Sequence, residues 1–132
     1  MLRYLIILFI LSKYAYCLKP KLSEFLKTQS QNHNSKFKIL CTVEEGTKPL
    51  KFQWLFNNTR IDKQTNNDKH IRIEDYDDES VLRIGRLERK NSGNYSCQVE
   101  NIYGQDVQSS MLLVKGQTSF VCLHFYVIYN HY

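Results

Sequence analysis

The chain has 132 residues, of which 18 are Lys or Arg and 13 are Asp or Glu, giving a formal net charge of +5. This excess is too mild to mark a nucleic-acid-binding protein, which needs a clustered basic stripe on a strongly basic domain. The length leaves room for one domain of about a hundred residues beside short terminal segments.

The N-terminal segment has the layout of a secretory signal peptide. Arg3 supplies the positive charge, residues 4–11 form a short apolar run, and Ala15 and Cys17 are the small residues that a signal peptidase reads. We expect cleavage after Cys17, which also removes Lys13 and leaves a net charge of +3. The alternative is a transmembrane anchor, but the apolar run is well short of the ~20 residues that a bilayer span requires.

Short runs in which apolar and polar residues alternate predict β-strands, and no helical period is sustained over a useful length. In chain order, the predicted strands cover residues 36–41, 52–56, 71–73, 81–84, 95–99 and 107–114. Turns are expected at Asn57-Asn58, because asparagine tolerates left-handed backbone angles, and at residues 101–104. The core-facing side chains are expected to be Ile39, Cys41, Phe52, Trp54, Phe56, Leu82, Ile84, Leu87, Tyr95, Cys97 and Val99.

Two cysteines, the only tryptophan and a tyrosine form a spaced set. Trp54 follows Cys41 by thirteen residues, and Tyr95 stands two residues before Cys97. This order and spacing are typical of a β-sandwich whose two sheets are joined by a disulfide. Once the signal peptide has taken Cys17, an oxidising compartment makes Cys41–Cys97 the natural pairing.

Three stretches resemble the immunoglobulin superfamily, and within it the intermediate (I-set) type. They are Cys41…Trp54-Leu55, Leu82-x-Ile84-x-x-Leu87 followed by Asn91-x-Gly93-x-Tyr95-x-Cys97, and Cys97-x-Val99-x-Asn101-x-x-Gly104. The resemblance implies an all-β, two-sheet sandwich with one inter-sheet disulfide. The run Ser-Gly-Asn-Tyr-Ser-Cys at 92–97 and residues 80–84 are similar to Down syndrome cell adhesion molecule-like adhesion receptors of invertebrates.

The resemblance also implies roles for single residues. Trp54 would pack on the disulfide sulfurs, Leu82 would belong to the core signature, and the Tyr95 hydroxyl would bond upstream backbone as in a tyrosine corner. The sequence departs from the family at Asn91, where the family usually has aspartate. The family's partner for that aspartate is an arginine on a neighbouring strand, here expected to be Arg72.

Two Asn-x-Ser/Thr sequons predict N-glycosylation at Asn57 and Asn94. The alternative for each is an unmodified surface asparagine. Asn57 stands in a predicted turn, whereas Asn94 stands on a predicted strand and should point outward by alternation.

The sequence shows no catalytic, cofactor-binding or metal-binding constellation, so we expect no enzyme. The four histidines are scattered, and no nucleophile elbow or phosphate loop is present. The acidic run 74–79 lacks the glycine-centred pattern of a calcium loop. Arg83, Arg86, Arg89 and Lys90 form either a patch for an acidic partner or, as we prefer, an ordinary solvated strand face.

The predicted organisation is a signal peptide at 1–17, an immunoglobulin-like domain at 18–115 and a short tail at 116–132. The apolar stretch of the tail is too short to span a membrane, and we interpret the tail as a truncated or artefactual end of a longer protein. The alternative is a genuine tail that forms an intermolecular disulfide through Cys122.

The functional expectation is extracellular recognition, with the protein secreted or held on the extracellular face of the plasma membrane by residues missing from this chain. The resemblance implies homophilic cell–cell adhesion with the same or a related immunoglobulin-superfamily molecule, as in axon guidance and dendrite self-avoidance. Neither nucleic-acid binding nor membrane insertion is expected. The alternatives are a soluble secreted binder, for immune recognition or as a decoy, and the ligand-binding ectodomain of a receptor kinase or phosphatase.

Overall fold

The computed structural model describes residues 17–62 and 70–116 as a sandwich of two β-sheets. The strands found in these residues are β1 (Lys21–Leu22), β2 (Thr28–Asn32), β3 (Phe37–Glu45), β4 (Lys51–Phe56), β5 (Thr59–Arg60), β6 (Ile71–Asp75), β7 (Glu79–Ile84), β8 (Gly93–Asn101) and β9 (Gly104–Lys115). One 3₁₀ turn, Arg89–Asn91, precedes β8.

The first sheet has four strands in the order β1-β3-β7-β6, and the second has five in the order β2-β9-β8-β4-β5. Neighbouring strands are antiparallel throughout except for β2, which runs parallel to β9. The N-terminal segment therefore contributes β1 to one sheet and β2 to the other.

The core lies between the sheets and is centred on the disulfide between Cys41 on β3 and Cys97 on β8. Its sulfurs are bonded at 2.01 Å and its Cα atoms are 6.3 Å apart. Trp54 lies opposite Cys97 in the β4–β8 register, and its ring stacks on that of Phe25 with 6.3 Å between centroids. The buried apolar side chains are Leu22, Phe37, Ile39, Cys41, Trp54, Val81, Leu82, Ile84, Leu87, Tyr95, Cys97, Val99 and Leu112.

The predicted fold class, an all-β sandwich with one inter-sheet disulfide, is confirmed. Strands β1, β2 and β5 were not predicted from the sequence. The signal-peptide and tail predictions fall mainly on residues 1–16 and 117–132, outside the described residues, as does Cys122.

The expected contact between Asn91 and Arg72 is wrong for the residues described. The Asn91 side-chain oxygen instead accepts a hydrogen bond from the Glu88 backbone N–H at 2.7 Å, within the 3₁₀ turn. Arg72 is exposed on β6. The sequence could not show this local hydrogen bond, in which the Asn91 side chain accepts from a nearby backbone N–H and does not contact another strand.

Candidate interaction surface

The outer face of the five-stranded sheet carries exposed apolar side chains. Along β9, Val107 is 44% exposed, Met111 is 39% exposed and Leu113 is 45% exposed. Side chains alternate between the two faces of a strand, so Leu112 points into the core, where it is fully buried, and these three point out. We call this outward side of β9 and of its neighbours β8 and β2 the β9 face.

The centre of the β9 face is polar and uncharged. Ser96 on β8 lies opposite Ser109 on β9, and their hydroxyls are 2.8 Å apart. Gln98 donates from its side-chain amide to the side-chain oxygen of Gln105 at 2.7 Å. Exposed apolar side chains and the scarcity of charge are typical of the core of a protein–protein interface, which is depleted in charged residues.

Charged residues lie at the margins of this face. Lys51 on β4 is opposite Glu100 on β8 at one end, and Lys115 ends β9 at the other. Beside the first end, the β8–β9 turn exposes 82% of Ile102 and 43% of Tyr103. The side chain of Cys17 forms a hydrogen bond with the Tyr103 hydroxyl and raises the pKa of that hydroxyl. The expected cleavage after Cys17 would remove this contact.

The core residues named from the sequence lie beneath this surface rather than on it. Cys41, Cys97 and Leu82 are fully buried, and Trp54 and Tyr95 are 1% exposed. The Tyr95 hydroxyl donates to the backbone carbonyl of Asn91 at 2.9 Å, which is the geometry of a tyrosine corner. Because they are buried between the sheets, these residues stabilise the sandwich rather than form its surface.

The two sequon asparagines lie side by side. The Asn57 side-chain oxygen accepts a hydrogen bond from the Asn94 backbone N–H at 2.9 Å, and the Asn57 N–H donates to the Asn94 carbonyl at 2.9 Å. Asn57 is exposed in a turn with φ 48°. Asn94 is half-buried and lies opposite Met111, so a glycan at Asn94 would stand on the β9 face, whereas one at Asn57 would stand beyond its end.

The exposed apolar positions on β9 were not found from the sequence, although a signal was present. Residues 111–114 are Met-Leu-Leu-Val, an uninterrupted apolar run, and such a run in a strand indicates burial on both faces. Among residues 17–62 and 70–116, no segment covers the outer face of β9. The run therefore marks a strand with apolar side chains on both of its faces.

Within residues 17–62 and 70–116, no group of three or more His, Cys, Asp or Glu side chains is arranged to hold a metal ion. The same residues include no helix long and apolar enough to cross a membrane.

The topology, the inter-sheet disulfide, the buried tryptophan and the tyrosine corner define an immunoglobulin-type β-sandwich. A family model described as "Immunoglobulin domain" matches residues 19–101, which is more than half of the chain. The chain belongs to the immunoglobulin domain family, which is not an enzyme family.

The relatives it resembles are much longer proteins. The membrane-bound isoform of pro-neuregulin-1 from Rattus norvegicus is 28% identical over 104 residues, which cover 79% of this chain and 15% of that protein. The cell adhesion molecule Dscam1 of Drosophila melanogaster is 31% identical over 98 residues, which cover 73% of this chain and 5% of that protein. The chain thus spans a small fraction of either relative.

Solved structures give the same fold. The Ig7 domain of Dscam1, isoform 5, superposes with a TM-score of 0.66 at 25% identity, covering 74% of this chain and 97% of that one. The titin fragment I67–I69 also reaches a TM-score of 0.66, at 21% identity, covering 74% of this chain and 33% of that one. The titin likeness concerns the fold alone.

Proposed function

We propose that this chain is an extracellular recognition module of the I-set type that mediates homophilic cell–cell adhesion through its β9 face. The main support for this proposal is a row of exposed apolar side chains on β9, which flank the uncharged pair Ser96 and Ser109. They are Val107, Met111 and Leu113. The similarity to the cell adhesion molecule Dscam1 supports the adhesive role. The partner is a second copy of the chain or a related immunoglobulin-superfamily molecule on an apposed membrane.

The expected contact is weak for a single pair of domains. Covering the exposed part of each of the three apolar side chains contributes about 1 kcal/mol. That gain is offset by the association cost of several kcal/mol that any two molecules meet on binding. The adhesive strength therefore depends on many copies displayed on the same surface.

A bead-aggregation assay tests the proposal. Beads coated at high density with the wild-type domain are expected to cluster, and Met111→Glu should abolish clustering because it places an unpaired carboxylate within the contact. Leu40→Glu is the matched control, since Leu40 is exposed to 46% on a strand of the opposite sheet. The control should cluster like the wild type.

Wild-type beads that stay dispersed, or two variants that behave alike, would refute homophilic binding through this face. Circular dichroism of both variants shows whether each is folded. The similarity to the membrane-bound isoform of pro-neuregulin-1 supports a second candidate. This is a module that binds an unlike protein, either as a soluble secreted binder or as part of a receptor ectodomain. Dispersed beads with a folded domain would support it.

A further inference from the structure

Three cations stand in one row across the outer face of the four-stranded sheet. Lys38 on β3 lies directly opposite Arg83 on β7, and Arg83 lies directly opposite Arg72 on β6. All three side chains are exposed. Like charges directly opposite each other on neighbouring strands destabilise a sheet, so the placement of these three cations opposite one another does not stabilise the fold.

The row lies in an open groove with a cavity of about 480 Å³. Among the described residues, the ionisable lining side chains are those of the row together with Lys36 and His70, and none of these is a carboxylate. The remaining lining residues are Phe37, Ile84 and Gly85. Phe37 and Ile84 are buried, so the exposed lining of the groove comes mainly from the basic side chains and includes their apolar stems.

Little of this charge is neutralised within the described part of the chain. Arg83 pairs with Glu74, with 3.2 Å between Nε and Oε2. Among residues 17–62 and 70–116, no carboxylate forms an ion pair with Lys36, Lys38 or Arg72. The groove thus presents a local net positive charge on a domain that is only mildly basic.

Two other basic residues singled out from the sequence are engaged elsewhere. Arg86 donates to the Asn34 side-chain oxygen at 2.9 Å, and Lys90 pairs with Glu88 at 3.3 Å. The basic patch that the sequence left as the less favoured alternative for Arg83, Arg86, Arg89 and Lys90 is therefore divided, and a different cationic cluster forms across β3, β7 and β6.

We propose that this groove binds a linear sulfated polysaccharide of the extracellular matrix or cell surface. Adjacent strands lie ~4.7–4.9 Å apart, so the row presents its three cations at short, regular intervals to a polyanionic chain that lies across the strands. The arginine forks donate to sulfate oxygens as they do to phosphate.

The groove fits other polyanions less well. An acidic peptide gains affinity from an apolar anchor seated in a pocket, and the groove offers no such pocket because Phe37 and Ile84 are buried. Single-stranded nucleic acid needs exposed aromatic rings on which bases stack, and none lines the groove. The site lies on the opposite sheet from the β9 face, so it is independent of the proposed adhesion.

Heparin serves as the probe. The full chain is applied to immobilised heparin at about 0.15 M salt, where surface charges more than ~8 Å apart are largely screened. The variant Lys36→Gln/Lys38→Gln/Arg72→Gln removes three cations and leaves the Arg83–Glu74 pair intact. Lys19→Gln/Lys27→Gln/Lys48→Gln removes three exposed cations that lie outside the groove and is the matched control.

The groove variant is expected to bind at least tenfold more weakly, and the slope of log affinity against log salt should fall by about two to three, as for the loss of three contacts to a polyanion. The control should keep most of its affinity. Desulfated heparin should not bind, and poly-glutamate should bind more weakly than heparin.

Four results would overturn the proposal: a wild-type chain that is not retained on heparin, equal losses in the two triple variants, full binding to desulfated heparin, or poly-glutamate bound as tightly as heparin. Trp54 fluorescence shows that each variant is folded. Bead aggregation measured on the same proteins separates this site from the β9 face, because the groove variant should still cluster.

Discussion

Substitution of Ser80 tests how much the hydrogen bonds of buried polar groups in the core stabilise this domain. It is fully buried, accepts a hydrogen bond from the Trp54 indole N–H at 2.8 Å, and donates to the Asp75 carboxylate at 2.6 Å. One hydroxyl thus joins the central tryptophan to a carboxylate at the rim of the sandwich. Ser80→Ala removes both bonds while changing the volume by a single oxygen.

The loss of stability follows from the polar groups that Ser80→Ala leaves without a hydrogen-bond partner. The indole N–H remains almost completely buried without an acceptor, which costs about 1–3 kcal/mol, and Asp75 loses one donor at a partly exposed position. We expect the free energy of unfolding to fall by about 2–3 kcal/mol. For a domain of this size, that corresponds to a decrease in Tm of roughly 10–20 °C.

Urea denaturation followed by fluorescence measures this change directly, because Trp54 is the only tryptophan. Ser30→Ala, at an exposed serine on β2, is the control and should stay within about 0.5 kcal/mol of the wild type. A double-mutant cycle with Trp54→Phe, followed by circular dichroism, isolates the indole bond, and its coupling should be about 1 kcal/mol or more. A Ser80→Ala variant as stable as Ser30→Ala, with no coupling in the cycle, would show that the indole N–H has another acceptor and that the reasoning is wrong.

Two other predictions concern the junction of β4 and β8. Gly93→Ala should destabilise the domain by about 1–3 kcal/mol, because its Cβ would lie 2.5 Å from the Phe56 ring and 2.7 Å from the Asn57 side-chain oxygen. Thermal melts measure this change. Gly85→Ala is the control, since its Cβ would meet only the His70 carbonyl, at 3.7 Å. Protein secreted from cultured cells should carry one N-glycan, at Asn57. Thr59→Ala should therefore lose the mass of one glycan, and Ser96→Ala should lose none. A glycan lost from Ser96→Ala instead would place a sugar on the β9 face and contradict adhesion through that face.

The strands predicted from the sequence are those that bury one face. Ile39 and Cys41 on β3, and Tyr95, Cys97 and Val99 on β8, alternate with less buried residues, and the structure buries all five. Their two-residue period was readable because burial is imposed on alternate side chains.

Strand β2 could not be predicted in this way. Its sequence, Thr-Gln-Ser-Gln-Asn, has no apolar residue on either face. It is held by backbone pairing to β9 and by Gln29, whose side-chain amide donates to the Ser110 hydroxyl at 3.1 Å. A strand whose stability comes from its neighbour carries no periodic signal of its own.

The β9 face and the cationic groove could not be predicted from the sequence for a related reason. The cationic row consists of Lys38, Arg72 and Arg83, which are far apart in sequence and meet only through the β3–β7–β6 register. Similarly, Ser80 reads as an ordinary strand serine until the fold places Trp54 beside it. Register, rather than composition, creates these sites.

The parallel pairing of β2 with β9 also determines how the domain bears a load. Tension applied between residues 17 and 116 pulls β2 and β9 in opposite directions along their common axis, because they run parallel over Thr28–Asn32 and Met111–Lys115. The hydrogen bonds between them are then sheared together rather than opened one after another. A module that holds two cells together under such tension would resist rupture through this edge of the sandwich, far from the disulfide.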